Sequence, residues 1–171
     1  MRVSLLSEPQ HESLLDLLRE LHTYYNDGSS VDREMVRSHL LENLLGAESP
    51  LRLVVAHEAN TSVLGLAAIS LTYSLVDPSP AQYRHCQLKE LYVCSAARSQ
   101  GVGTALMAWV AQCAVNNGCR RIDWPVKAHN AKGISFYKKL GAQQVVERLS
   151  FRLTQPCLGE LPNRTGQKRG T

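Results

Sequence analysis

Nowhere among the 171 residues is there an apolar run near the ~20 residues that a membrane-spanning helix needs. The opening Met1-Arg2-Val3-Ser4-Leu5-Leu6 turns polar at Ser7, before the apolar segment of a secretory leader could form. No membrane partner is expected, and the expected location is cytoplasmic. Cysteines are few and poorly spaced for structural use. Cys86, Cys94, Cys113, Cys119 and Cys157 are odd in number and contain no C-x-x-C pair, which argues against a disulfide framework and against a zinc ribbon. They read as reduced, small apolar residues, and no metal is expected. The N-x-S/T triplets at Asn60 and Asn163 carry no weight without a leader. Aromatics are only 6% of the chain and its basic residues are scattered among acids, so nucleic acid is not an expected partner.

What is present is the composition of a globular chain, 44% apolar and 20% charged. The length suits a single domain. Nineteen Lys and Arg against 15 Asp and Glu leave a net charge of +4, but Arg164, Lys168 and Arg169 fall after Gln155 with only Glu160 to offset them. The body is therefore close to neutral. We read residues 1–154 as the domain and 155–171 as a basic, flexible tail.

The spacing of apolar residues predicts the elements. Arg2 to Leu6 reads as a strand, and Ser7 with Gln10 three residues on resembles a capping box that opens a helix. That helix carries Leu14, Leu15, Leu17, Leu18 and Leu21 and ends at Tyr24, Tyr25, Asn26 and Asp27. A second helix presents Met35, Val36, Leu40, Leu41, Leu44 and Leu45 and stops at Gly46. Leu51 to His57 and Val63 to Ser74 read as a hairpin, and Cys86 to Val93 as a further strand. A helix over 101–117, a strand over Arg121–Val126, a helix over Asn130–Leu140 and a last strand over Val145–Leu153 complete the pattern. Strands interleaved with helices, on a sheet that includes a hairpin, make an α/β or α+β domain.

The most informative segment runs from Glu90 to Leu106: a strand, a polar turn and a glycine-containing helix start. Glycine lets backbone approach a ligand, and the unpartnered N–H groups of a first helical turn hold phosphate. Two common nucleotide motifs do not fit. A Rossmann fingerprint needs Gly where Leu106 stands, and a P-loop needs the absent Gly-Lys-Ser/Thr.

The R-x-x-G-x-G pattern from Arg98 to Gly103, directly after Leu91-Tyr92-Val93, resembles the acetyl-CoA motif of the GNAT superfamily of N-acetyltransferases. Asn130 to Ala142, with Phe136-Tyr137 and Gly141, is similar to that family's second signature. The resemblance implies a mixed, mostly antiparallel central sheet flanked by helices. It also implies acetyl-CoA as donor, an amine acceptor and a homodimer. By the same resemblance, backbone groups of Leu91, Tyr92 and Val93 pair with the pantetheine arm. Arg98, Ser99, Gln100, Gly101, Val102, Gly103 and Thr104 take the pyrophosphate. Asn130 hydrogen-bonds the pantetheine, and Tyr137 lies near the thioester sulfur. A weaker resemblance points to the diamine and polyamine acetyltransferases. Those tend to carry two adjacent acids where this chain has Lys89-Glu90.

Chemistry asks for the same roles. An alkylammonium with a pKa of ~10 must lose a proton before its nitrogen attacks a thioester. Glu90, an acid at an otherwise apolar strand end, is the base candidate, directly or through an ordered water. The other reading makes it a solvent-facing residue paired with Lys89 or Arg84. His129 is a rival base. Tyr137 is the candidate proton donor to the departing thiolate, although it also shares an apolar face with Ile134 and Leu140. Cys94 is the cysteine nearest the motif and nothing beside it in sequence would activate it, which favours direct transfer over an acetyl-enzyme. Transfer to a protein N-terminus or lysine, and a non-catalytic acyl-CoA-binding module, stay open beside transfer to a small molecule.

Overall fold

Apolar and β-branched residues fill both stretches of the central hairpin, too continuously for a sheet with one wet face. The computed structural model, which describes residues 1–59, 61–79 and 84–164, shows why. Asn60, Lys168 and Arg169, noted in the sequence, lie outside the described residues. Strands β2 (Arg52–His57) and β3 (Val63–Tyr73) pair antiparallel, from Arg52 opposite Ile69 to His57 opposite Val63. Strand β1 (Arg2–Leu5) adds antiparallel to β2, and β4 (Arg84–Val93) adds antiparallel to β3. Strand β5 (Ile122–Asp123) joins β4 in parallel, opposite Cys86 and Gln87 only. Among the described residues the sheet order is β1-β2-β3-β4-β5, the mixed and mostly antiparallel sheet that was expected. Strand β5 is shorter than the expected Arg121–Val126 because Pro125 has no N–H to give a ladder. Past Gln87 the outer side of β4 therefore meets no strand among the described residues.

Both faces of the sheet are covered. Helix α1 (His11–Tyr25), helix α2 (Arg33–Ser38) and the turn that follows it bring Leu14, Leu15, Leu17, Val36 and Leu40 into one core cluster with Leu53, Val55, Leu66, Ala68 and Tyr92. Helix α3 (Val102–Asn116) packs against β2, β3 and β4, and its Leu106 and Val110 are fully buried, as is Val54 of β2. Each such side chain contributes about 1.5–3 kcal/mol relative to exposure.

Local chemistry sets the ends of these elements. Gln10 Oε1 accepts from the Ser7 N–H at 2.8 Å and the Ser7 hydroxyl at 2.9 Å, fixing the turn into α1. Asp32 caps α2 through the N–H groups of Glu34 and Met35. The second helix does not continue as an α-helix: His39–Leu44 is a wider, π-helical turn. Only part of the expected stripe faces the core: Val36 and Leu40 are buried while Met35, Leu41 and Leu45 are exposed. Gly65 of β3 lets α3 come close: a Cβ there would lie 2.9 Å from the Tyr92 carbonyl and 3.1 Å from both Val102 and Leu106.

The chain divides into two compact units, Met1–Ala128 and His129–Thr171. The sheet and α1 to α3 form the first. In the second, helix α4 (Ala131–Lys139) begins at Asn130 and helix α5 (Cys157–Arg164) lies within the segment read as a tail. No strand forms over Val145–Leu153, contrary to expectation, and Leu149 and Phe151 are 80% and 90% exposed. No helix among the described residues is long and apolar enough to cross a membrane.

Candidate functional site

The end of β4 gathers most of the residues singled out in the first unit. The β3–β4 register steps between Ala68 opposite Glu90 and Ile69 opposite Leu88, which leaves Lys89 as the extra residue of a bulge. Bulges re-aim the side chains beside them. Lys89 is exposed and Glu90 half-buried. Glu90 Oε1 accepts from the Leu91 N–H at 3.1 Å and from the Tyr25 hydroxyl at 3.3 Å. Burial raises the Glu90 carboxyl above its ordinary range, while the Tyr25 hydroxyl, the Leu91 N–H and nearby Lys127 pull it back in part. Among the described residues Glu90 forms no ion pair with Lys89 or Arg84, the partners the alternative reading required. Arg84 instead donates to the Asn117 carbonyl at 3.2 Å and stacks over Tyr73.

An aromatic wall joins α1 to this strand end. Tyr24 meets Tyr25 edge-on at 5.2 Å between ring centroids and Tyr92 at 5.8 Å. The Tyr92 hydroxyl donates to Glu20 at 3.1 Å, and the buried ring with its acidic neighbour pushes the phenol pKa up to about 12. It is therefore a neutral hydrogen-bonding group and not an acid–base one. Glu20 also accepts from the Ser95 N–H at 2.8 Å. The sequence offered no sign of Glu20, because its partners lie more than seventy residues on.

The turn between β4 and α3 is built to present backbone N–H groups. Ser99 and Gly101 hold φ of 62° and 81°, left-handed conformations that turn the chain sharply. A Cβ at Gly101 would meet nothing within 4 Å, so that side of the residue is open space. The α3 ladder starts with Ala105 N–H to the Gly101 carbonyl at 3.0 Å, and Gly101 has no side chain to cap the helix. The N–H groups of Val102, Gly103 and Thr104 therefore have no intrahelical acceptor, and with the helix dipole they suit an anion. The Arg98 side chain serves the turn itself. Its Nε donates to the Val93 carbonyl at 3.1 Å, and its terminal nitrogen donates to the Tyr92 hydroxyl at 3.0 Å. The guanidinium also lies over the rings of Tyr24 and Tyr92.

In the second unit, the Asn130 side-chain oxygen accepts from the Gly133 N–H at 2.9 Å and caps α4. The cap dictates its neighbour, since a Cβ at Gly133 would sit 2.6 Å from the Asn130 amide nitrogen. That amide keeps its donors after capping. Tyr137 lies seven residues on, two turns along the same helix face, half-buried and with its ring 5.1 Å from Phe136. Gly141, at φ 87°, closes α4 with Gly141 N–H to Lys138 O and Ala142 N–H to Tyr137 O, a Schellman end. His129, the rival base, is exposed just before α4. None of the five cysteines is paired, and burial pushes the Cys86 thiol up to about 12. Among the described residues no three His, Cys, Asp or Glu side chains gather as a metal ion would need.

The model of the acetyltransferase (GNAT) family matches residues 12–142, most of the chain. The chain belongs to the acetyltransferase (GNAT) family. Two curated thialysine N-epsilon-acetyltransferases are similar to this GNAT chain. The Mus musculus protein is 38% identical over 84 residues, 47% of this chain and 49% of that protein. The Sus scrofa protein is 33% identical over 81 residues, 46% of this chain and 48% of that protein. The chain thus spans about half the length of the curated relatives it matches. Among solved structures, an integron cassette protein from the mobile metagenome of V. cholerae superposes with a TM-score of 0.82 at 26% identity, over 94% of this chain and 98% of that one.

Proposed function

We propose that this GNAT protein moves the acetyl group of acetyl-CoA to the primary amine of a small molecule by direct attack. Glu90 is the general base and Tyr137 the proton donor to the departing sulfur. The observation that carries the reading is Glu90: a half-buried carboxylate with a raised pKa, at the bulged end of the strand that leads into the anion-binding turn. A carboxylate with a raised pKa is a better proton acceptor for an ammonium than an ordinary one. The thialysine enzymes, named for acetylating a small amine, support the acceptor class.

The donor supplies an acetyl thioester already activated toward amines. This chain's residues fit its shape and charge. The N–H groups of Val102, Gly103 and Thr104, on the turn formed by Arg98, Ser99, Gln100 and Gly101, would take the pyrophosphate. The outer side of β4 at Leu91, Tyr92 and Val93 would pair with the pantetheine as an added strand does, and the Asn130 amide would donate to it. On Glu90 the amine's proton is held while nitrogen attacks, and Tyr137 O–H protonates the leaving thiolate.

The test is thiol release from acetyl-CoA with thialysine and a panel of small amines, followed across pH for the parent protein and Glu90→Gln. We expect kcat to fall by about 10²–10⁴ and the acidic limb of the profile to disappear. An acidic limb that stays in place removes Glu90 as the base.

A further inference from the structure

Lys127, four residues beyond β5, is exposed and lies outside both glycine-containing motifs. Its Nζ lies 4.5 Å from the centroid of the Tyr25 ring, close enough for a cation–π contact. The hydroxyl of that ring donates to Glu90. One phenol therefore has the base candidate at its tip and a fixed cation on its face. Among the described residues no carboxylate forms an ion pair with Lys127.

Other charges around this aromatic wall point the same way. Arg98 covers Tyr24 and Tyr92. Lys89, beside Glu90, is exposed. Of the two acids, Glu20 is engaged by the Tyr92 hydroxyl and the Ser95 N–H, and Glu90 by the Tyr25 hydroxyl and the Leu91 N–H. A bare diamine that presents one nitrogen to Glu90 brings its second ammonium toward cations. An amine that carries a carboxylate brings an anion to Lys127, which among the described residues no carboxylate engages at ion-pair distance.

We propose that the acceptor is a primary amine bearing a carboxylate, as a diamino acid does, and that Lys127 selects it by pairing with that carboxylate. This rests on the acetyl-transfer reading of the site and narrows its substrate class. L-Ornithine and 1,4-diaminobutane differ by one carboxylate and test it directly. The parent protein prefers L-ornithine in kcat/KM. Lys127→Met raises the KM for L-ornithine about fivefold with kcat little changed, as loss of a partly exposed ion pair does, and improves use of the diamine. Lys127→Arg keeps the preference. A preference that is the same in the parent and Lys127→Met, or a parent that prefers the diamine, overturns the role of Lys127 and leaves acetyl transfer standing. No thiol release with either compound or with any amine of a wider panel overturns the acetyl-transfer reading, and this inference with it.

Discussion

The carboxylate of Glu20, on α1, accepts the backbone N–H of Ser95 at 2.8 Å, seventy-five residues away in sequence. The same oxygen accepts from Tyr92, whose hydroxyl in turn accepts from Arg98. A helix on one face of the sheet thus holds the start of the turn that presents the anion-binding N–H groups. Hydrogen bonds to a charged group are worth about 1.5–3 kcal/mol each. Glu20→Ala should raise the KM for acetyl-CoA roughly tenfold or more by letting that turn relax, while Glu20→Gln, which keeps an acceptor oxygen, should lose less. Titration of both variants with acetyl-CoA checks this. A lower melting temperature in Glu20→Ala with unchanged acetyl-CoA affinity would reduce Glu20 to a packing contact.

The raised pKa of Glu90 also bears on stability, with a definite sign. Burial favours the protonated form in the folded state. The stability gained from protonation is fully present below the unfolded carboxyl pKa and is lost as pH rises through the higher folded value. Above that value the folded protein holds an ionised group that burial disfavours. Glu90→Gln, which removes the charge and keeps the shape, should raise the melting temperature at pH 7 by a few degrees and narrow its advantage below pH 4. Thermal melts across that range read the difference. A variant less stable than the parent at pH 7 would show that the hydrogen bonds from Tyr25 and Leu91 outweigh desolvation.

The local parts of the fold could be read from sequence, and the parts set by distant partners could not. The hairpin, the Asn130 cap and the glycine turn at Gly101 are decided by neighbours a few residues away, and each forms where its residues point. Val145–Leu153 has a strand's apolar content, but a strand exists only as one member of a pair, and this stretch is not in the sheet. Trp124-Pro125 follows β5, where proline ends the pairing that apolar content alone would extend. In the site, Glu90 showed as an acid among apolar residues, whereas Glu20 and Lys127 look like ordinary surface charges until the fold brings Tyr92 and Tyr25 against them.

Tyr137 carries the proposed role of proton donor, and Phe keeps its ring against Phe136. Tyr137→Phe should therefore lower kcat about 10²-fold or more, leave the KM for acetyl-CoA nearly unchanged and fold normally. Steady-state kinetics with a fixed amine reads both constants. Equal losses in kcat and acetyl-CoA affinity would make Tyr137 a binding residue. Gly133→Ala is a companion change: its Cβ would collide with the Asn130 amide, so acetyl-CoA affinity should suffer more than kcat.

Gly101 and Gly118 stand at opposite ends of α3 with similar backbones, φ of 81° and 69°, and a Cβ at either would meet nothing within 4 Å. Alanine at either position pays the left-handed conformational cost of about 1–2 kcal/mol without a clash. The two variants should lose similar stability. They should part company on the ligand, because only the Cβ at Gly101 stands beside the N–H groups of Val102, Gly103 and Thr104. Gly101→Ala should weaken acetyl-CoA binding at least tenfold, through crowding of the phosphate and reorientation of those donors, while Gly118→Ala binds as the parent does. Melting curves paired with acetyl-CoA titrations separate strain from site. Matching stability losses with matching affinities would mean that the α3 N-terminus does not hold the pyrophosphate, and the anion site would have to be sought elsewhere along β4.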